Sequence, residues 1–292
     1  MDSKEGLSVD EVSVRFGGLV ALDRVSLEAP PGRVHGVIGP NGAGKTTLFN
    51  VMCGFVKPDS GTLTYFGQKV HGLRPEKLTR MGVARTLQGL GLFSRMPVLE
   101  NVMIGANSLA KVGVLRALVG AGPTVTEERR LRASAMAALE RLGVANVAGK
   151  LPPQLPYATQ KKVALARALV SDPRFLLLDE PASGLSEEEM GELGDLIVEL
   201  ASELGIVLVE HHMDLVMTTC DRIVVLDFGQ VVATGTPDEV RASPEVTAAY
   251  LGVAVGTGAA GGTGAGGTGA AEGTGAAGDT GAAGEGPADA QG

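Results

Sequence analysis

The chain is poor in aromatic residues, with three tyrosines, seven phenylalanines and no tryptophan in 292 residues. The missing tryptophan supports no conclusion by itself. Cysteine is nearly absent too. Cys53 and Cys220 are too few for a disulfide framework and suit a reducing cytoplasm. Cys53 follows an apolar stretch and reads as a small buried thiol. Basic residues are outnumbered, 25 Lys and Arg against 33 Asp and Glu, so the net charge is −8 and there is no nucleic-acid footprint. Residues 1–5 have no signal-peptide character. The longest uncharged run, Val246 to Ala271, is mostly glycine, alanine and threonine. Its glycines disfavour helix and it has few large apolar side chains, so no membrane span is expected.

The large apolar residues also run out after Leu251. From Gly252 a Thr-Gly-Ala unit recurs at Thr257, Thr263, Thr268, Thr274 and Thr280. Such a segment cannot bury enough surface to offset its ordering entropy. Its acids, Glu272, Asp279, Glu285 and Asp289, carry half of the net charge. Residues 252–292 are therefore expected to be a disordered tail behind a folded domain of residues 1–251.

Within 1–251 the sequence alternates between strand and helix patterns. Val9 to Leu27 carries Val12, Val14 and Phe16 in the alternation of a half-exposed strand, and Thr62–Phe66 followed by Gly67 reads as a strand and turn. Phe175–Leu178 and Ile206–Val209 are short continuous apolar runs, suited to parallel strands covered on both faces. Ile223–Leu226 and Val231–Ala233 flank a turn at Asp227–Gln230, as in a hairpin. Thr126 to Leu142 places Leu131, Ala135, Ala138, Leu139 and Leu142 at helical spacing, with Glu127 and Glu128 in its first turn. Val112 to Val119 reads as a short apolar helix or as an insertion packed on its neighbour.

The strongest motif is Gly39-Pro40-Asn41-Gly42-Ala43-Gly44-Lys45-Thr46-Thr47, a full G-x-x-x-x-G-K-[ST] phosphate loop. It lies between an apolar strand, Val34–Ile38, and the start of a helix whose N-terminus favours an anion. The glycines let backbone N–H groups ring the phosphates. Lys45 can reach the β- and γ-phosphates, and the Thr46 hydroxyl can take a Mg²⁺ position. A second constellation closes the apolar strand Phe175–Leu178 with two adjacent carboxylates. Asp179 can hold the Mg²⁺ shell, and Glu180 can polarise an attacking water. Paired acids are common on surfaces, but at the end of a buried strand an unpaired charge is costly.

Upstream lies Leu155-Pro156-Tyr157-Ala158-Thr159-Gln160, followed by a helix pattern. At this point the chain resembles an ATP-binding cassette (ABC) ATPase over residues 7–251. Gly39–Thr46 resembles Walker A, Gln88 the Q-loop, 155–160 the signature and 175–180 Walker B. Ser183–Ser186 falls at the D-loop, His211 at the switch histidine, and Phe16 where such proteins stack an aromatic ring on adenine. Phe16–Leu22, Ala84–Gln88 with Leu92-Phe93, Val209–Met217, Gly235-Thr236-Pro237 and Ala249–Gly252 look like the branched-chain amino-acid uptake group, the LivG type.

The resemblance implies an α/β fold. Its P-loop NTPase (RecA-like) core would be a mainly parallel sheet, joined by an antiparallel β subdomain and an α-helical subdomain at about 91–160. It implies ATP and Mg²⁺ as cofactors, with Thr46, Gln88 and Asp179 around the metal and Glu180, His211 and Gln88 in hydrolysis. His212, the neighbour of His211, is the competing imidazole. The implied partners are membrane permease subunits, a solute-binding protein outside the membrane, and a second ATPase subunit or a second copy of this chain. The implied location is the cytoplasmic face of the cell membrane. Residues after Gln88, up to about Glu100, would couple to the permease. Branched-chain amino acids or similar small polar compounds are the implied cargo. The alternatives are lipopolysaccharide-type export, a soluble ABC ATPase acting on ribosomes or DNA, and a binding module without turnover.

The signature departs from the common Leu-Ser-Gly-Gly-Gln. Pro156 removes a hydroxyl and a backbone donor, and Ala158 adds a Cβ where phosphate approaches. Tyr157 and Thr159 are further departures, and Ser186 replaces a common D-loop aspartate. One lost hydrogen bond to a charged group costs roughly 1.5–3 kcal/mol, about tenfold to 150-fold in rate if it acts in the transition state. The expectation is an intact ATP-binding half and a weak signature half, so a heterodimer with a standard signature is favoured.

Overall fold

The structure, a computed structural model, describes residues 6–86, 89–106 and 125–256. The reading of Val112–Val119 and the expected tail from residue 257 lie outside the described residues, as does Gln88.

The apolar strands assemble into two sheets. Strands β1 (Leu7–Phe16), β2 (Leu19–Ala29), β4 (Ser60–Tyr65) and β5 (Gln68–Val70) form an antiparallel sheet in the order β2-β1-β4-β5. The stretch expected as one half-exposed strand is thus two strands, because Gly17 takes φ +61° and the chain turns back at Gly17-Gly18. Val12 and Val14 face the core. Phe16, at the turn, pairs with Leu19 and is 53% exposed.

The second sheet has six strands in the order β10-β9-β3-β8-β7-β6. These are β3 (Val34–Ile38), β6 (Val83–Arg85), β7 (Phe175–Asp179), β8 (Gly205–Val209), β9 (Arg222–Asp227) and β10 (Gln230–Gly235). All neighbours are parallel except β9 and β10, which form the expected antiparallel hairpin. Both faces of this sheet are covered, which explains the unbroken apolar runs. Phe175, Leu177 and Val207 face the antiparallel sheet across a core that includes Leu48, Met52 and Tyr65. Leu176, Leu178, Ile206 and Leu208 face a second core built with the helices.

Nine α-helices connect these strands among the described residues. They are α1 (Lys45–Met52), α2 (Pro75–Leu78), α3 (Val98–Gly105), α4 (Val125–Arg141) and α5 (Tyr157–Leu169), then α6 (Glu187–Ala201), α7 (Met213–Thr219), α8 (Pro237–Ala242) and α9 (Pro244–Gly256). Helices α3, α4 and α5 pack together as an α-helical layer. The helical spacing in α4 is realised: Leu131, Ala135, Ala138, Leu139 and Leu142 are all buried. Helix α9 runs to Gly256, across the boundary expected near Leu251. No helix among the described residues is long and apolar enough to cross a membrane. Both cysteines are free and buried, and burial pushes the Cys53 and Cys220 thiols up to about 12.

Candidate active site

Strand β3 delivers the phosphate loop and α1 receives it. Two of its glycines are demanded by neighbours. A Cβ on Gly39 would stand 2.1 Å from the Leu226 carbonyl oxygen, and one on Gly44, at φ +101°, 2.7 Å from that of Ala21. The loop is fastened by the β9–β10 turn. The Gly229 N–H donates to the Ala43 carbonyl at 3.0 Å, and the Gly229 carbonyl accepts from the Asp23 N–H at 2.8 Å. No side chain caps α1 and its first turn has no carboxylate, so its leading N–H groups remain available to an anion. Lys45 is buried, and its ammonium donates to the carbonyls of Gly39 at 2.7 Å and Pro40 at 2.9 Å. Burial lowers its pKa, opposed by the charge of Glu180. Asn41, Gly42 and Thr46 are exposed along the same loop, and Thr47 is half-buried.

Asp179 ends β7 opposite Val209 of β8. Burial, then the charges of Glu180 and Glu210, push its carboxyl up to about 6, against Arg85. Glu180 turns out of the strand at φ +46°, with its N–H on the Val209 carbonyl at 2.8 Å. A non-glycine residue in that region is uncommon and here aims the side chain away from the strand line.

The two imidazoles at the end of β8 have different partners. His211 Nδ1 lies 3.6 Å from Glu210 Oε2 and 3.8 Å from Glu180 Oε1, whereas His212 Nδ1 lies 2.9 Å from Glu210 Oε2. His211 therefore lies between Glu210 and Glu180, and His212 is bound, among the described residues, to Glu210 alone. Glu210 is fully buried. Its carboxylate accepts N–H groups from Ala182 at 2.8 Å, His211 at 2.8 Å and His212 at 3.2 Å. Burial alone would raise its pKa, but the His212 imidazole and these N–H groups hold it below the ordinary value. Glu210 carries no motif of its own in the sequence. Its only signal there is an acid directly after an apolar strand.

The remaining expected residues are placed more loosely. Thr86, within the Q-loop stretch, accepts the Asp179 N–H on its hydroxyl at 3.4 Å and gives its own N–H to the Leu177 carbonyl at 3.0 Å. Phe16 lies on the β1–β2 hairpin, whose Ala21 and Leu22 pack against Gly44. This puts an exposed ring on the strand pair that lines the loop. The expected signature opens α5. Leu155 is buried as its anchor, Pro156 is the cap residue without a side-chain hydrogen bond, and Tyr157 is exposed. Ala158, Thr159 and Gln160 are half-buried, and Gln160 Nε2 donates back to the Leu155 carbonyl at 3.0 Å. Ser186 has a local role, since its hydroxyl caps α6 by accepting the Glu189 N–H. The loop after the Q-loop stretch is held by Asn101, whose amide donates to the Phe93, Met96 and Pro97 carbonyls. Arg167 holds it from α5 through the Leu90 and Gly91 carbonyls.

The chain can now be set beside known proteins. Residues 22–183 match the family model of ABC transporters, and residues 230–256 match that of branched-chain amino acid ATP-binding cassette transporters. It is 41% identical over 250 residues to the high-affinity branched-chain amino acid transport ATP-binding protein LivG of Escherichia coli, covering 85% of this chain and 98% of that protein. Similarity to BraF of Pseudomonas aeruginosa, of the same description, is 38% over 254 residues, covering 86% and 100%. A crystal structure of the ADP conformation of an ATP-binding cassette from an ABC transporter superposes with a TM-score of 0.74 at 30% identity, covering 85% of this chain and 99% of that one. The α/β fold, the ATP-binding role and the ATPase activity follow from these matches. The chain belongs to the ATP-binding cassette transporter family, among its branched-chain amino-acid ATPases.

Proposed function

We propose that this chain is the ATP-hydrolysing motor of an importer for branched-chain amino acids, bound to permease subunits at the cytoplasmic face of the membrane. The observation that carries this reading is the placement of Glu180 and His211 at the ends of two adjacent strands, beside the strand that delivers the Lys45 loop. The cargo rests on the relatives described above.

The groups of the site divide the work. The backbone of Gly39–Gly44 and the Lys45 ammonium hold the phosphates, while Phe16 offers a face to the adenine. Thr46, Asp179 and Gln88 offer a hydroxyl, a carboxylate and an amide oxygen, an oxygen donor set that suits Mg²⁺. The raised pKa of Asp179 fits this, because a carboxylate crowded by other acids gains from a cation. When bound, Mg²⁺ neutralises charge on the phosphate oxygens. Glu180 accepts a proton from the attacking water, and His211 donates toward the γ-phosphate.

The signature half is the weaker one. Pro156 gives α5 no capping hydroxyl, and Ala158 narrows the approach. Pairing with a second ATPase of standard signature gives this chain's own ATP site a competent partner, and a solute-binding protein outside the membrane completes the system. The test is to isolate Glu180→Gln protein from its native membranes with ATP. Two hydrophobic permeases and a second ATPase support the reading. A membrane-free complex overturns the transporter assignment. Pro156→Ser with Ala158→Gly should raise homodimer turnover about tenfold or more. No gain rejects the weak-signature account.

A further inference from the structure

We propose that Lys161 is a positioning residue that ties this chain's signature segment to the peptide carrying its own catalytic carboxylate. Lys161 lies one turn after Tyr157 on α5, so the two share a face. Its Nζ donates to the Pro181 carbonyl at 2.6 Å and lies 5.3 Å from the centroid of the Tyr157 ring. The Tyr157 ring in turn rests on Gly184, where a Cβ would come within 3.0 Å of its Cε1. Two adjacent groups of the signature helix therefore bear on residues 181–184, the segment that follows Glu180.

The same segment is gripped from the opposite side. The Ala182 N–H donates to the buried Glu210 carboxylate at 2.8 Å, and the Glu180 N–H donates to Val209 at 2.8 Å. Residues 180–182 thus run between an ammonium from α5 and a carboxylate from the end of β8. Burial lowers the pKa of Lys161, opposed by the charges of Glu210 and Glu180. Its ammonium donates to the Pro181 carbonyl, so losing it frees the peptide after Glu180. Any displacement of the start of α5 is passed to that peptide. In a dimer whose signature segments close over the partner's nucleotide, closure at one site then adjusts Glu180 at the other. Lys161 touches no substrate. It acts through Glu180.

The test uses the full-length protein, Lys161→Met and Lys161→Arg, with ATP turnover, binding of a fluorescent ATP analogue and melting temperature measured in parallel. Loss of a charge-assisted contact predicts a fall in kcat of about tenfold or more for Lys161→Met, with KM for ATP and analogue binding within about twofold. Lys161→Arg should recover most of the loss. In a Glu180→Gln background, Lys161→Met should lower turnover by less than about twofold, because both changes act on one group. The proposal is overturned if Lys161→Met keeps full kcat, if KM rises while kcat holds, or if Arg gives no recovery. It is also overturned if the loss persists undiminished in the Glu180→Gln background.

Discussion

His211 Nδ1 stands 3.8 Å from Glu180 Oε1, bridging the ends of strands β7 and β8. Under the proposed function these two groups act as one unit on the attacking water. Glu180→Gln and His211→Ala should each lower ATP turnover by about 10²- to 10⁴-fold with nucleotide binding retained. The double variant should be only slightly slower than the worse single one. Full multiplication of the two effects in steady-state assays would show that they act independently.

Asp179→Asn should separate activity from stability. Its carboxyl is raised from 3.8 to about 6 in the folded protein, first by burial and then by its acidic neighbours. The folded state therefore holds the proton more tightly than the unfolded state, and stability declines as pH rises from about 4 to about 6. Above that window the asparagine variant should melt higher, by about 1–2 kcal/mol once solvent screening is allowed for. The gap should close below about pH 4. Melting curves in a chelator across this range measure it, and equal melting at pH 7 would reject the burial argument.

Glu210→Ala should cost stability. The carboxylate is the shared acceptor of three backbone N–H groups and the His212 imidazole. Leaving a buried donor unpaired costs about 1–3 kcal/mol; at about 1 kcal/mol for each of the three N–H groups the loss is about 3 kcal/mol, and a fall in Tm of about 6–12 °C is expected. The pKa of Glu210 is lowered by its partners, so its contribution is present above its ordinary value of 4.5 and lost as pH falls through the folded value. The difference from the unaltered protein should shrink on acidification. A constant difference down to pH 3 would mean the carboxylate's charge is not what stabilises the loops.

Gly229→Ala should reach the nucleotide from a distance. Gly229 has φ +78°, and a Cβ there would lie 2.7 Å from the Ala21 carbonyl oxygen. The turn would shift, loosening Ala43 and Asp23 together. ATP affinity should fall about tenfold or more while the sheet still forms. Titration with a fluorescent ATP analogue measures this, and unchanged affinity would show that the phosphate loop holds its shape alone.

The parts of this site that were legible in the sequence are the contiguous ones. Residues 39–47 carry their own geometry, and Asp179 with Glu180 announce themselves as acids closing an apolar run. Parallel strands β7 and β8 were readable because both faces are covered. The hairpin of β1 and β2 was not separated, because two glycines inside an apolar alternation can mark a turn or a bulge. His211 and His212 are indistinguishable in the sequence, since one residue of register exchanges their directions. Lys161 and Glu210 were unreadable as partners of the 181–182 peptide, because each meets it from another element, 20 and 28 residues away. The glycine and alanine content of α9 hides in the sequence where its helix gives way.

The β9–β10 turn that fastens the phosphate loop has a consequence for the order of synthesis. Strand β3 is made early, yet its two neighbours in the sheet are β8 and β9, and the turn on Ala43 is at Gly229. On the ribosome, residues 39–47 emerge long before the strands that flank them and the turn that braces them. The phosphate loop is thus made well before it is supported, and the growing chain cannot present a finished ATP site until Gly229 has left the exit tunnel.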